Sequence, residues 1–254
     1  MVMRKAVICT LFVFISANMM SQTQVIAHRG FWDTQGSAQN SIASLLKADS
    51  INCYGCEFDV RMSSDGKLIV IHDAIHGLTS IKKNTADTLT RLKLKNGESL
   101  PLLSEYLQKG TELKTRLILE LKKLSTPELE TKAIEQIISL VSKMQLEPRM
   151  EYISFSLHAV KEFIRLAPQG TPIYYLNGDL SPQELKAIGC TGPDYNSKVF
   201  KKNPEWITEC HSLGLKVNVW TVNSEEDMQW LIKHKVDFIT TDRPLVLRNL
   251  LKNY

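Results

Sequence analysis

This chain carries no large surplus of charge of either sign. It has 31 basic against 27 acidic residues, and setting aside Arg4 and Lys5 near the N-terminus leaves 29 against 27, about +2. Bulk electrostatics therefore gives no reason to expect a nucleic-acid partner. The apolar run from Ala6 to about Ile15 stops short of the roughly twenty residues a membrane-spanning helix needs, so an uncleaved anchor is disfavoured. No cysteine follows that run, which argues against a lipid-modified N-terminus. Of the five cysteines, Cys9 lies in the apolar run, and Cys53, Cys56, Cys190 and Cys210 lie in the body of the chain. The Cys53-x-x-Cys56 pair has no second pair at zinc-like spacing and no Gly-Pro between its members. Small apolar residues entering a strand explain it best, although four cysteines permit disulfides in an exported protein. No G-x-G-x-x-G or G-x-x-x-x-G-K loop follows the first strand candidate, so a nucleotide-cradling turn is not expected there.

Two positive charges, an apolar run and then smaller and polar residues through Gln24 read as a secretory signal. We expect residues 1–21 to be that signal, residues 22–254 to form one domain, and the protein to be exported, either periplasmic or secreted. Beyond it, short apolar runs alternate with amphipathic stretches. Strand candidates are 25–28, 56–60, 117–121, 152–155, 173–176, a weak one at 191–195, 216–220 and 237–241. Helix candidates are 41–50, 101–109, 127–144, 158–167, 182–188, 204–213 and 224–234. Thr126-Pro127, Ser181-Pro182 and Asn203-Pro204 repeat one start signal, a capping residue followed by proline at the first helical position. Repeated strand-helix units argue for a parallel sheet, open or closed, and eight units match a (β/α)8 barrel best.

One piece departs from the alternation. Residues 56–62 and 67–72 flank Ser63-Ser64-Asp65-Gly66 and read as a hairpin on an Asp-Gly turn. The returning strand is extra to the barrel and brings His72 back to about the level of Glu57. A polar insertion at 74–100 follows.

Four polar clusters punctuate the strand ends: His28-Arg29-Gly30, Glu57-Phe58-Asp59, His72-Asp73 and Glu120-Leu121-Lys122. Side chains alternate along a strand, so Glu57 and Asp59 share one face, as do Glu120 and Lys122. Three carboxylates converging at a barrel mouth repel one another unless a cation sits among them. Glu57, Asp59 and Glu120 are thus candidate ligands of one divalent cation, with Ca²⁺ or Mg²⁺ expected, and pairing with structural Lys or Arg is the alternative. His28 and His72 titrate near neutral pH and could give and take protons in one turnover. Arg29 and Lys122 supply positive charge for a phosphate diester, or else pair with the acids. Trp220 could pack against a substrate's carbon face or simply belong to the core. Lys82-Lys83 and Lys201-Lys202 read as solvated faces, with attraction to a membrane surface or phosphate the minority alternative.

The order His-Arg-Gly, Glu-x-Asp, Asp-Gly-x-x-x-x-x-His-Asp and Leu-Glu-Leu-Lys resembles the glycerophosphodiester phosphodiesterase family over nearly the whole chain after the signal. Leu100-Pro101-Leu102-Leu103-Ser104-Glu105, Val219-Trp220-Thr221-Val222-Asn223 and Thr240-Thr241-Asp242-Arg243-Pro244 extend the resemblance. It implies a barrel with a small insertion after the second strand, a divalent ion, and two histidines as general acid and base. It further implies hydrolysis of a small-molecule glycerophosphodiester to glycerol 3-phosphate and an alcohol. Two departures stand out: Ala38-Gln39-Asn40-Ser41 replaces the family's usual Pro-Glu-Asn-Thr, and the insertion lacks its Arg-Thr pair. Gln39 keeps the shape of glutamate without its charge, the one feature that favours a non-catalytic phosphate- or lipid-binding barrel. A phospholipase D-like or phosphoinositide-specific lipase on the same barrel is the other alternative.

Overall fold

The computed structural model describes residues 22–254, so the expected signal at 1–21 lies outside the described residues. Eight parallel strands close on themselves: β1 (Gln24–Ala27), β2 (Gly55–Met62), then, past three short strands, β6 (Arg116–Leu121), β7 (Met150–Ser154), β8 (Ile173–Tyr175), β9 (Gly192–Asn196), β10 (Asn218–Trp220) and β11 (Phe238–Thr241). Neighbours pair in chain order, and β1 pairs with both β11 and β2, which makes the sheet a barrel rather than an open sheet. The three short strands lie between β2 and β6: β3 (Leu68–Val70), antiparallel to β2, and the pair β4 (Ile75–His76) and β5 (Thr79–Ser80). All eight expected barrel strands are present.

The helices are α1 (Ile42–Ser50), α2 (Ala86–Leu89), α3 (Leu103–Gly110), α4 (Pro127–Lys143), α5 (Leu157–Leu166), α6 (Pro182–Ile188), α7 (Ser197–Lys202), α8 (Glu205–Ser212), α9 (Glu225–Lys233) and α10 (Pro244–Leu251). Thr126 and Ser181 cap α4 and α6 through their hydroxyls, as the Thr-Pro and Ser-Pro signals require. Asn203 does otherwise. Its side chain donates to the Val199 carbonyl at 3.1 Å and so closes α7, a helix the sequence did not reveal, instead of capping α8. No described helix is long and apolar enough to cross a membrane.

The strands' two faces feed two cores. Outward residues such as Ala27, Cys56, Phe58, Val60, Leu117 and Leu119 pack with helix residues including Leu45, Ala48, Tyr106 and Ile134. Inward residues Ile26, Ile118, Ile153, Tyr174 and Phe238 fill the barrel interior. A Cβ on Gly55 would stand 2.5 Å from Ile118, so position 55 also faces inward, and glycine is needed where those side chains cross. Counting in twos from these residues carries His28, Glu57, Asp59 and Glu120 onto the same interior face at the strands' C-terminal ends. The four cysteines among the described residues are free and buried, and burial pushes the thiols of Cys53, Cys190 and Cys210 up to about 12, so they serve as core residues.

The insertion has a core of its own. Leu68 and Val70 of β3 point into the main core, while Ile69 and Ile71 pack with Ile81, Leu89, Leu94 and Leu100. Glu98, near its end, accepts the Ile42 and Ala43 amides at 2.9 and 3.1 Å and so holds the insertion against the positive end of α1.

Candidate active site at the barrel mouth

The three expected carboxylates meet. Ligand atoms of Glu57, Asp59 and Glu120 lie within 4.8 Å of one another, and all three residues are buried. Burial, together with the charges of Asp59 and Glu120, pushes the Glu57 carboxyl well above its ordinary value, and burial and Asp59 push Glu120 up to about 7. Burial would raise Asp59 too, but Lys122, Arg29 and a hydrogen bond from Asn40 outweigh it and hold Asp59 down to about 2. Asn40 grips this residue from both sides, donating to Asp59 Oδ2 at 2.8 Å and accepting the Asp59 amide at 3.0 Å.

Neither cation is idle. Lys122 Nζ lies 2.7 Å from Glu120 and 3.1 Å from Asp59, and Arg29 Nε lies 3.5 Å from Asp59. Arg29 has φ +56°, an uncommon conformation for a side-chain-bearing residue, and it aims its own amide at Glu57 Oε2, 2.7 Å away. Its guanidinium donates to Gln39 Oε1 at 2.8 Å. The amide that replaces the expected carboxylate thus serves Arg29.

The two histidines are each backed by an aspartate. His28 Nδ1 lies 2.8 Å from Asp242 Oδ1, and because an ionised carboxylate only accepts, Nδ1 is the donor and Nε2 is left to accept. Asp242 also accepts Trp32 Nε1 at 2.9 Å and Asn223 Nδ2 at 2.7 Å. Burial alone would raise this acid, yet the bonds from His28, Asn223 and Trp32 hold it down to about 2. His72 pairs with its neighbour Asp73 at 2.8 Å, and its carbonyl accepts Arg61 Nε at 2.7 Å. Burial lowers the His72 pKa against the opposing pull of Asp59 and Asp73. The hairpin register sets Val60 opposite Val70, and the Ile71 amide reaches the Asp59 carbonyl at 2.9 Å, so His72 returns to the level expected.

Trp220 stands between its two expected roles. It is half-buried, donates Nε1 to the Asp194 carbonyl at 2.7 Å and meets Phe155 edge-on at 5.4 Å. The histidines outside the motifs have structural partners: His76 with the Lys93 carbonyl, His158 with Thr131, His211 with Asp237 and His234 with the Trp230 carbonyl. Asp242, Asn40, Trp32 and Asn223 complete the site and have no role that the sequence alone signals.

The donor set fits a hard divalent cation. At the opposite end of the barrel, buried Glu151 shows what a structural carboxylate looks like: it is paired with Arg116 and accepts the Tyr54 hydroxyl at 2.6 Å. Glu57 Oε1, by contrast, is buried with no partner, and the ion pairs of the two cations at the mouth go to Asp59 and Glu120.

Comparison with known proteins shows the family. The family model of the glycerophosphoryl diester phosphodiesterase family matches residues 28–246. A glycerophosphodiester phosphodiesterase of Caldanaerobacter subterraneus is 28% identical over 246 residues, covering 91% of this chain and 98% of its own. The crystal structure of a glycerophosphodiester phosphodiesterase from Parabacteroides distasonis superposes with a TM-score of 0.89 at 48% identity, over 91% of this chain and 98% of that one. An Oleispira antarctica phosphodiesterase in complex with the product sn-glycerol-3-phosphate superposes at 0.77, with 25% identity over 91% of this chain and 97% of that one. This chain therefore belongs to the glycerophosphoryl diester phosphodiesterase family, and it is an enzyme of that class.

Proposed function

We propose that the protein hydrolyses glycerophosphodiesters to glycerol 3-phosphate and an alcohol, with one divalent cation held by Glu57, Asp59 and Glu120 and with His28 and His72 as the acid–base pair. The observation that carries this reading is the convergence of three buried, under-compensated carboxylates with two aspartate-backed histidines at one barrel mouth. The Oleispira relative, bound to glycerol 3-phosphate as product, supports the product assignment.

A cation bound there would neutralise phosphate charge and acidify an attacking hydroxyl or water. The chain's own residues do the rest. Arg29 and Lys122 flank the carboxylates and are the cations within reach of the phosphate's remaining charge. Lys122 would compete with the divalent cation for Asp59 and Glu120, which would leave its ammonium free to turn to the substrate. One histidine takes the proton of the attacking oxygen as its bond to phosphorus forms. The other protonates the leaving alkoxide as the second phosphorus–oxygen bond breaks. Trp220 offers its ring beside the carbon face of the glycerol unit. Residues 1–21 would direct export, to the periplasm or the medium.

The test is an assay of the purified chain on a panel of glycerophosphodiesters, with Ca²⁺, Mg²⁺ and Mn²⁺ restored singly after chelation. Glycerol 3-phosphate is the expected product, and chelation should stop its release reversibly. His28→Ala and His72→Ala should each cut kcat by roughly 10²–10⁴ with the fold intact by circular dichroism. A cyclic phosphate released from a lipid would support the lipase alternative. Activity that survives both substitutions, or survives chelation, would overturn the mechanism.

A further inference from the structure

We infer that the rim of the barrel mouth between the β2–β3 hairpin and α4 is a docking surface for an anionic phospholipid bilayer. A groove of about 1060 Å³ opens there, lined by the hairpin turn at 63–66, the β4–β5 pair and the segment after β6. Its cations are Arg61, Lys82, Lys83, Lys123 and Lys132, against a single carboxylate, Asp65. That carboxylate is already occupied, accepting the Ser63 hydroxyl at 2.6 Å and the Ala86 amide at 3.0 Å. None of the four lysines forms a salt bridge among the described residues. Lys82-Lys83, which the sequence offers as a solvated pair, is thus part of a larger positive rim.

The apolar residues decide which anion the rim suits. Met62, Ile75, Leu124 and Leu129 line the same groove. The β4–β5 pair turns in two residues, Gly77 and Leu78, with positive φ at Gly77 (+59°) and not at Leu78, as a type II′ turn requires. This geometry projects Leu78 from the tip, where its relative exposure is 104%, beside Ile75 at 58%. A soluble polyanion would use the lysines and leave Leu78 in water. A bilayer surface uses both, with headgroup phosphates at the lysines and the apolar tip in the interface. Arg61 is two residues beyond Asp59 and Lys123 follows Lys122, so docking on this rim presents the mouth of the barrel to the membrane.

Sedimentation of the folded chain with vesicles tests this. Binding is expected to phosphatidylglycerol vesicles at about 50 mM salt, to fade at about 500 mM, and to be weak on phosphatidylcholine. Each lysine near an anionic surface is worth about fivefold in partitioning, so Lys82→Glu with Lys83→Glu should weaken binding by at least about tenfold. Leu78→Asp should weaken it as well. Both variants should keep wild-type turnover of a soluble glycerophosphodiester, which also verifies folding. No binding to phosphatidylglycerol vesicles at low salt would overturn the inference. So would binding indifferent to Leu78→Asp and displaced in full by soluble polyphosphate, which would identify a soluble polyanion as the partner.

Discussion

Glu120→Gln should make the metal-free protein more stable at pH 8 while removing its activity. Burial and Asp59 raise the folded-state pKa of Glu120 from 4.5 to about 7, so between those values the folded chain keeps a proton that the unfolded chain releases. Stability therefore falls as pH rises through that window, by about 1.4 kcal/mol for each pH unit crossed, or about 3 kcal/mol once pH exceeds 7. Glutamine has the shape without the charge and removes this penalty. Asp59, held down to about 2, contributes stability that is already complete by pH 5 and stays flat above it. The His72 pKa lies below 6.5, so its contribution grows as pH rises toward 6.5, but it is common to both proteins and cancels in the comparison. For a chain of this size the difference is roughly 6–12 °C in Tm. Thermal melts in chelator should find the variant level with wild type at pH 5 and several degrees above it at pH 8. A divalent cation should then raise the wild-type Tm at pH 8 and leave the variant nearly unmoved. A variant that melts below wild type at pH 8 in chelator would refute the claim that the cluster is an uncompensated charge site.

Asp242→Asn turns a pure acceptor into a group that must point an NH2 at one of three donors, His28, Trp32 and Asn223. His28 then faces a neutral amide in place of the carboxylate that holds its tautomer and would stabilise its charged ring, and kcat should fall by roughly 10²–10³ with KM much less affected, read by steady-state kinetics. Asn40→Ala deletes both hydrogen bonds to Asp59 and leaves alanine at φ +60°; divalent-cation affinity should drop about 10–100-fold by calorimetric titration, with a lower Tm.

Spacing of two along a strand is enough to bring Glu57, Asp59 and Glu120 together, because a barrel leaves an inward strand residue nowhere to point except the axis. The count of eight strand-helix units likewise favours a barrel over an open sheet, and the pairing of β1 with both β11 and β2 closes it. Pairings across long stretches of chain are not legible in this way. Asp242 is 214 positions from His28, and only the contact of β11 with β1 brings them together. Asn40 looks like an ordinary loop residue until its positive φ and two bonds to Asp59 are seen. The six-residue α7 is too short to show a period, and its Asn203 points forward to α8 in the sequence while closing the helix behind it in the fold. The last helix, α10, is absent from the sequence-based expectations although it is legible: Pro244 at its first position, then Leu247, Leu250 and Leu251 at helical spacing, signal it plainly.

The two histidines are held by unlike means, and the difference follows from β3. His28 leaves a strand paired on both sides, and its amide donates to the Thr241 carbonyl at 3.0 Å, so the closed barrel itself fixes its position. His72 stands beyond the end of a three-residue edge strand whose alternate side chains belong to different cores, Leu68 and Val70 to the main core and Ile69 to that of the insertion. Its side chain is 35% exposed against 17% for His28, and its partner Asp73 is 70% exposed. The depth of His72 in the mouth is therefore set jointly by the barrel and by the packing of Ile81, Leu89, Leu94 and Leu100 beneath the insertion. A polar, loop-rich segment in this way helps to position His72, one half of the proposed acid–base pair. The same segment carries Leu78 and the lysines of the basic rim, so a contact made on that rim has a short mechanical path to the chemistry.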